Sequence, residues 1–249
     1  MPETVVITGA TSGIGLALAK NLISRGTRVY VVGRNFEKFS STIYEWCITH
    51  DFADLCKWVY CDFSNLSGIS EEELKKIPQV DGFVNCIGVL PISPLKLQKA
   101  DDIINSVNIN LVSPILFTRE LLRLNRIVKG GAIVYISSIN GTKIGSKAHA
   151  VYSATKGGIS GFVMSLANEL STLGVRVNAI SPGTVDTPML EQTKALIGEK
   201  SFSNYLGQYP LGLGSPDSLV SLIHFLLDGG VSSWITGQNF VVDGGYTLN

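Results

Sequence analysis

A chain of 249 residues is long enough for one large α/β domain with a substantial core. Twenty basic residues stand against twenty acidic ones, and a formal net charge of zero excludes the basic surplus that nucleic acid or an anionic membrane demands of a main partner. Charged residues make up 16% and hydrophobic ones 45%, a balance that suits a sheet covered on both faces and an apolar subunit contact.

The N-terminus "MPETVVITGA" lacks a basic segment followed by a long apolar one, and no run approaches the ~18 apolar residues of a membrane span. Cys47, Cys56, Cys61 and Cys86 form no C-x-x-C pair, and His50, His149 and His224 are scattered. No metal site is expected, and the thiols are read as core filling in a reduced, soluble, cytoplasmic protein.

Taken in chain order, the elements open with a β-branched run, "TVVIT" (4 to 8), followed by "TGATSGIG" and an apolar-periodic helix that stops near Gly26. A glycine-rich turn between the first strand and the first helix is where an open α/β sheet takes a dinucleotide. Gly9 allows the sharp turn, Gly13 admits a pyrophosphate to the backbone and Gly15 lets helix pack on strand. The free N–H groups around Ile14 and the hydroxyls of Thr11 and Ser12 face the same ligand. The second strand (28 to 32) ends in "VVGRN", with Gly33 and Arg34 where a free ribose hydroxyl meets an Asp or Glu. A cation in that place predicts NADP(H) in preference to NAD(H), which stays the alternative.

Further strands follow at 57 to 61, 82 to 86, 132 to 137, 176 to 181 and 239 to 243. The stretch Asp101 to Arg126 is apolar on most of its helical surface, which predicts burial against a partner subunit. The helix from Ala150 to Leu170 begins with "YSATK", and spacing of four places Tyr152 and Lys156 one above the other on one face. Residues 188–215 are the least regular part and are read as a flap over a site. Together the elements predict a single α/β domain over residues 1–249, a doubly wound (Rossmann) parallel seven-stranded sheet in the order 3-2-1-4-5-6-7 with helices on both faces.

These motifs, in this order and over nearly the whole chain, resemble the short-chain dehydrogenase/reductase family. Thr8 to Gly15 matches its T-G-x-x-x-G-x-G signature. Asp62, followed by Phe63, matches an Asp after the third strand that contacts adenine, and "NCIG", Asn85 to Gly88, stands where the family has N-N-A-G. Asn110, Ser138 and the pair Tyr152 and Lys156 match its catalytic residues. Pro182, Gly183, Val185 and Thr187 in "SPGTVDT" match the segment that holds the nicotinamide end.

The resemblance implies that Tyr152 protonates a substrate carbonyl, its pKa brought down from about 10 by Lys156 and by oxidised nicotinamide. It implies that Lys156 binds the nicotinamide ribose, that Ser138 hydrogen-bonds the carbonyl oxygen, and that Asn110 holds a proton-relaying water. Ser137 competes with Ser138 for its role, but strand alternation points it to the opposite face. A homo-oligomer, tetramer or dimer, follows from the same resemblance.

The expected activity is ketone reduction, or the reverse alcohol oxidation, on a small-molecule substrate. In general appearance the chain is similar to 3-oxoacyl-thioester reductases, whose acidic carrier protein docks on basic residues. Lys129 is a candidate contact here, whereas Leu173 stands where those reductases often carry an arginine. Phe202, Tyr205, Leu206 and Tyr209 in the flap point to an uncharged or apolar substrate. An NAD-linked alcohol or sugar dehydrogenase is the runner-up, and a nucleotide-binding module without chemistry is the reading from a different class.

Overall fold

The computed structural model describes residues 2–248, apart from the side chains of 192, 195–197 and 199–201, so the two outermost positions of the expected domain lie outside the described residues. Strands β1 (Thr4–Thr8), β2 (Arg28–Gly33), β3 (Cys56–Tyr60), β4 (Val80–Asn85), β5 (Ile127–Ile136), β6 (Arg176–Pro182) and β7 (Asn239–Val242) form one sheet in the order β3-β2-β1-β4-β5-β6-β7. Every neighbouring pair is parallel. The expected doubly wound Rossmann-type architecture is therefore the observed one.

Alternation explains why both faces are covered. Val5 and Ile7 of β1 and Val134 of β5 belong to one buried cluster with Leu18, Leu22 and Ile223, whereas Val6, Ile133 and Tyr135 belong to another with Phe117, Ile159 and Val163. A strand packed against helices on both sides has no polar face to keep, so β1 is buried at all five positions. The direction of winding reverses between β1 and β4, and the carboxyl ends of these strands open a crevice there.

Three elements depart from the sequence reading. β5 begins at Ile127 rather than at 132, running through the glycine pair Gly130 and Gly131 by way of a register shift against β4. The stretch after residue 100 is not one helix. Ala100–Val107 and Ser113–Arg123 are joined by a π-helical turn, Asn108–Val112. Within the chain only Ile109, Phe117 and Leu121 of its predicted apolar set are buried, and Ile104 is 57% exposed. The flap, read as irregular, contains helices Pro188–Ile197 and Glu199–Leu206, broken at Gly198 in a left-handed conformation. No helix among the described residues is long and apolar enough to cross a membrane.

Candidate active site at the carboxyl ends of the strands

The glycine turn after β1 is held by contacts that tolerate no side chain. Gly9 lies at φ +70, and a Cβ there would stand 2.9 Å from the Cys86 backbone; one on Gly15 would stand 2.5 Å from the Gly9 carbonyl oxygen. Gly13, at φ +52, faces the Thr187 methyl at 3.0 Å. The first helix, Gly13–Ser24, starts after Ser12, whose side chain makes no capping bond, and its first turn keeps N–H groups for a ligand. Beside it the Thr8 hydroxyl donates to Asn85 Oδ1 at 2.8 Å, joining the carboxyl ends of β1 and β4.

From this turn a cleft of about 540 Å³ runs along the strand ends. Gly9, Thr11, Ser12, Gly13, Ile14 and Gly15 line it with Gly33 and Arg34 at one end. Gly88, Ser138, Tyr152, Lys156, Pro182, Gly183, Val185 and Thr187 line the other. Among the described lining residues the charged ones are Arg34, Lys38 and Lys156, with no carboxylate. A long crevice with an uncapped helix end, a glycine cradle and only cations in its wall fits a nicotinamide dinucleotide carrying several phosphate charges.

Four predicted residues sit behind the wall. Asn85 is buried on Thr8, and Phe63 is core, packed on Phe117 at 5.4 Å between ring centroids. Asp62 Oδ1 accepts from the Ser64 N–H (3.0 Å), the Ser64 hydroxyl (2.7 Å) and Arg34 Nη1 (3.3 Å). These partners hold the Asp62 carboxyl below its usual range although partial burial opposes them. Arg34 also donates to Ser64 Oγ at 2.9 Å, so the cation predicted for the nucleotide is tethered, with 62% of its side chain exposed.

The fourth is Asn110. Its Nδ2 donates to the Val89 carbonyl (2.9 Å) and Thr155 Oγ1 (3.3 Å), and its Oδ1 accepts from the Val89 N–H (2.8 Å). Placed in the π-helical turn, where one extra residue per turn redirects side chains, it grips the chain beyond β4. A Cβ on Gly88 would lie 3.4 Å from both Asn110 Oδ1 and Lys156 Nζ, so that glycine brings the two residues together.

At the other end, β5 leads into two serines with opposite tasks. Ser137 Oγ donates to the Lys156 carbonyl at 2.9 Å and ties the strand to the helix Ala150–Leu170. Ser138 Oγ accepts from the Asn140 N–H at 3.1 Å and lines the cleft together with Tyr152. The turn between them and the helix depends on Gly141, at φ +90, where a Cβ would fall 2.1 Å from the Ser153 carbonyl oxygen. Lys156 is 4% exposed; its Nζ donates to the Ile136 carbonyl at 2.9 Å and stands 5.7 Å from the Tyr152 ring centroid.

Among the chain's own groups, burial rather than Lys156 sets the Tyr152 phenol. Burial pushes the Tyr152 phenol up to about 12, against the opposing Ser138 hydrogen bond, and burial brings Lys156 down to about 8. The ammonium is turned to a backbone carbonyl, so burial prevails and the phenol keeps its proton.

Sequence reasoning passed over Lys38, Asn140, Thr184 and Gly141. Lys38 follows Arg34 by four, on a helix capped by Asn35, whose side chain accepts from the Lys38 N–H at 2.8 Å; that N-cap spacing was the available signal. Of the flap residues expected to meet substrate, Tyr205 lines the cleft, whereas Phe202 and Tyr209 are buried in the protein. His149 lines the cleft too, its Nδ1 on the Lys147 carbonyl at 2.7 Å.

The chain is similar to known proteins over its whole length. A family profile described as short chain dehydrogenase matches residues 3–196. The chain is 34% identical to a 3-oxoacyl-[acyl-carrier-protein] reductase of Rattus norvegicus over 249 residues, 100% of this chain and 99% of that one. It is likewise 34% identical to carbonyl reductase family member 4 of Danio rerio, again over 100% and 99% of the two chains. Among solved structures, a variant of actinorhodin polyketide ketoreductase with NADPH superposes with a TM-score of 0.86 at 30% identity, covering 99% of this chain and 98% of that one.

Proposed function

Because the chain belongs to the short-chain dehydrogenase/reductase family, whose members are oxidoreductases acting on carbonyl or alcohol groups, we propose that it reduces a ketone to a secondary alcohol with NADPH. A 3-oxoacyl thioester is the substrate class put forward first. One observation carries the reading: a buried Tyr152, with Ser138 beside it in the lining and Lys156 on the same helix face, closes a cleft whose charged lining, among the described residues, is cationic. Printed names of relatives, a 3-oxoacyl reductase and a ketoreductase seen with NADPH, support it.

The nicotinamide cofactor, when bound, supplies the hydride. Tyr152 gives its phenolic proton to the carbonyl oxygen as charge develops there, and Ser138 donates a hydrogen bond to the same oxygen. The phenolate left behind is stabilised by the Lys156 ammonium, which would also bind the nicotinamide ribose. Asn110 acts at one remove, fixing Val89 and with it Gly88 against Lys156. Gly183, Val185 and Thr187 would border the nicotinamide, and Arg34 with Lys38 would meet a 2'-phosphate.

A second reading, use of NAD(H) by an alcohol or sugar dehydrogenase, is favoured by the tether of Arg34 to Asp62 and Ser64. We also infer a homo-oligomer, because Ile104 and Met164 leave 57% and 61% of their surface open on the two long helical stretches.

Initial rates of NADPH and NADH consumption with a short 3-oxoacyl thioester test the proposal, with the Tyr152→Phe protein alongside. The expected outcome is turnover with NADPH that falls about 10²- to 10⁴-fold in the variant while nucleotide affinity holds. An equal loss of affinity would make the tyrosine structural, and binding of both nucleotides without turnover would reject the thioester.

A further inference from the structure

Three hydroxyls join the flap to the strip of chain leaving β6. Thr184 Oγ1 lies 2.5 Å from the Tyr205 phenol and 2.7 Å from that of Tyr209, and the phenols are 2.9 Å apart. The Thr184 N–H also donates to Tyr209 Oη at 3.0 Å. Each hydroxyl gives one proton and accepts up to two, so a closed ring satisfies all three, with room on Tyr209 for the backbone donor.

The members are not equally fixed. Tyr209 is 5% exposed and stacks on Tyr246, centroids 4.6 Å apart. A Cβ on Gly183 would come within 3.0 Å of its ring, so the strip lies directly on the phenol. The strip is stitched on either side as well: Gly183 N–H donates to Val242 at 3.0 Å and Asp186 N–H to the Gly214 carbonyl at 2.8 Å. Tyr205, half-buried in the last turn of the helix Glu199–Leu206, meets Tyr209 and Tyr246 by ring edges and tilts only, at 5.6 and 5.9 Å. It also lines the cleft beside Thr184, Gly183 and Val185.

We propose that the Thr184, Tyr205 and Tyr209 hydroxyls are a latch that holds the flap helix onto the Pro182–Thr187 strip, with Tyr205 the member that lets go. Tyr205 and Thr184 are thus positioning residues for the nicotinamide half of the cofactor, an assignment that rests on the function proposed above. Opening the flap costs Tyr205 its two hydroxyl contacts, which solvent replaces; Tyr209 and the strip stay where they are. A nucleotide bound under the strip gains from the closed latch, whereas a ligand confined to the adenosine end does not.

Tyr205→Phe and Thr184→Val test this against the wild type by titration with NADPH and with 2',5'-ADP, which lacks nicotinamide, and by hydrogen exchange of residues 188–209 in the free protein. Each variant is expected to bind NADPH about tenfold more weakly and 2',5'-ADP unchanged, with faster flap exchange. The double variant should be no worse than the single ones, since one ring is broken once. Unchanged NADPH affinity and flap exchange would overturn the latch, and so would equal losses for both ligands, which place the effect in the whole fold. If the wild type binds neither ligand, the proposed function is what fails, and flap exchange in the free variants still decides the latch.

Discussion

Along one wall of the cleft backbone meets backbone: a Cβ on Gly15 would sit 2.5 Å from the Gly9 carbonyl oxygen, and one on Gly141 only 2.1 Å from that of Ser153. Across from it, Tyr205 attaches the flap through hydroxyls and ring edges. The first wall is set when the chain folds, because close-packed main chain has no second arrangement of similar energy. The second is held by contacts that water can replace one at a time. On the function proposed above, a phosphate-bearing ligand and a proton donor need positions fixed to a fraction of an ångström, while a substrate needs a way in, and the two walls suit those two requirements.

The largest effect should come from breaking the fixed wall. Gly141→Ala places a methyl group on the Ser153 carbonyl in a left-handed conformation, φ +90, so strain and overlap add. The expected cost is on the order of 4 kcal/mol, a fall of about 10 °C in Tm. Gly145→Ala, four residues on in the same loop but with nothing within 4 Å of its Cβ, should change stability by less than about 0.5 kcal/mol in the same thermal melts. Comparable losses from both would show that the loop, not the contact with the helix Ala150–Leu170, carries the cost.

Next in size is the charge buried in that wall. Lys156, brought from an ordinary 10.5 down to about 8 by burial, holds fewer protons folded than unfolded between those values. The Lys156 contribution to stability should therefore rise with pH from about 8 to about 10, while the thiols of Cys47, Cys56, Cys61 and Cys86, raised from 9.0 by burial, oppose it from about pH 9 and the Tyr152 phenol, raised to about 12, from about pH 10, so the difference between wild type and variant isolates it. Below pH 8 the folded state bears the desolvation cost, on the order of 3 kcal/mol. Lys156→Met should melt higher than the wild type at pH 7, converge with it near pH 10 and have no activity. A variant that melts lower at every pH would mean that the bond to the Ile136 carbonyl outweighs desolvation.

The two walls were also unequally legible. The strands, the glycine turn and the stacking of Tyr152 over Lys156 follow from periodicity and short spacings, which are local properties of the chain, whereas Ser138 and the roles of all three residues are what the family resemblance implies. Asn110 was readable as a residue, but its π-helical turn was not, because that bulge exists to point the amide at Val89. Gly141 looks in sequence like any loop glycine; its meaning is the helix beside it. The flap looks irregular in sequence although Pro188 opens one helix and Gly198 starts the next, since breakers at helix ends resemble breakers in a loop. In sequence its tyrosines look alike, and only their partners Thr184 and Tyr246 show which of them is held in the protein and which lines the cleft.

The smallest expected effects concern the end of the fixed wall that is least fixed, where the cofactor would be chosen. Arg34 leans on Asp62 at 3.3 Å and Ser64 at 2.9 Å, exposed contacts worth at most about 1 kcal/mol, and a 2'-phosphate offering two charges can outbid them. Lys38 stands on a capped helix and lines the cleft with no such carboxylate partner among the described residues. Arg34→Ala should lower the ratio of kcat/KM for NADPH over NADH about tenfold and Lys38→Ala about threefold. Ser64→Ala, which releases one of the tethers, should raise it about twofold. If Lys38→Ala moves the ratio and Arg34→Ala does not, the phosphate is read from the helix and the arginine stays a strut between β2 and the turn after β3. If neither moves it, the cofactor at this end carries no phosphate, and the cations of the cleft serve the pyrophosphate of NAD(H) instead.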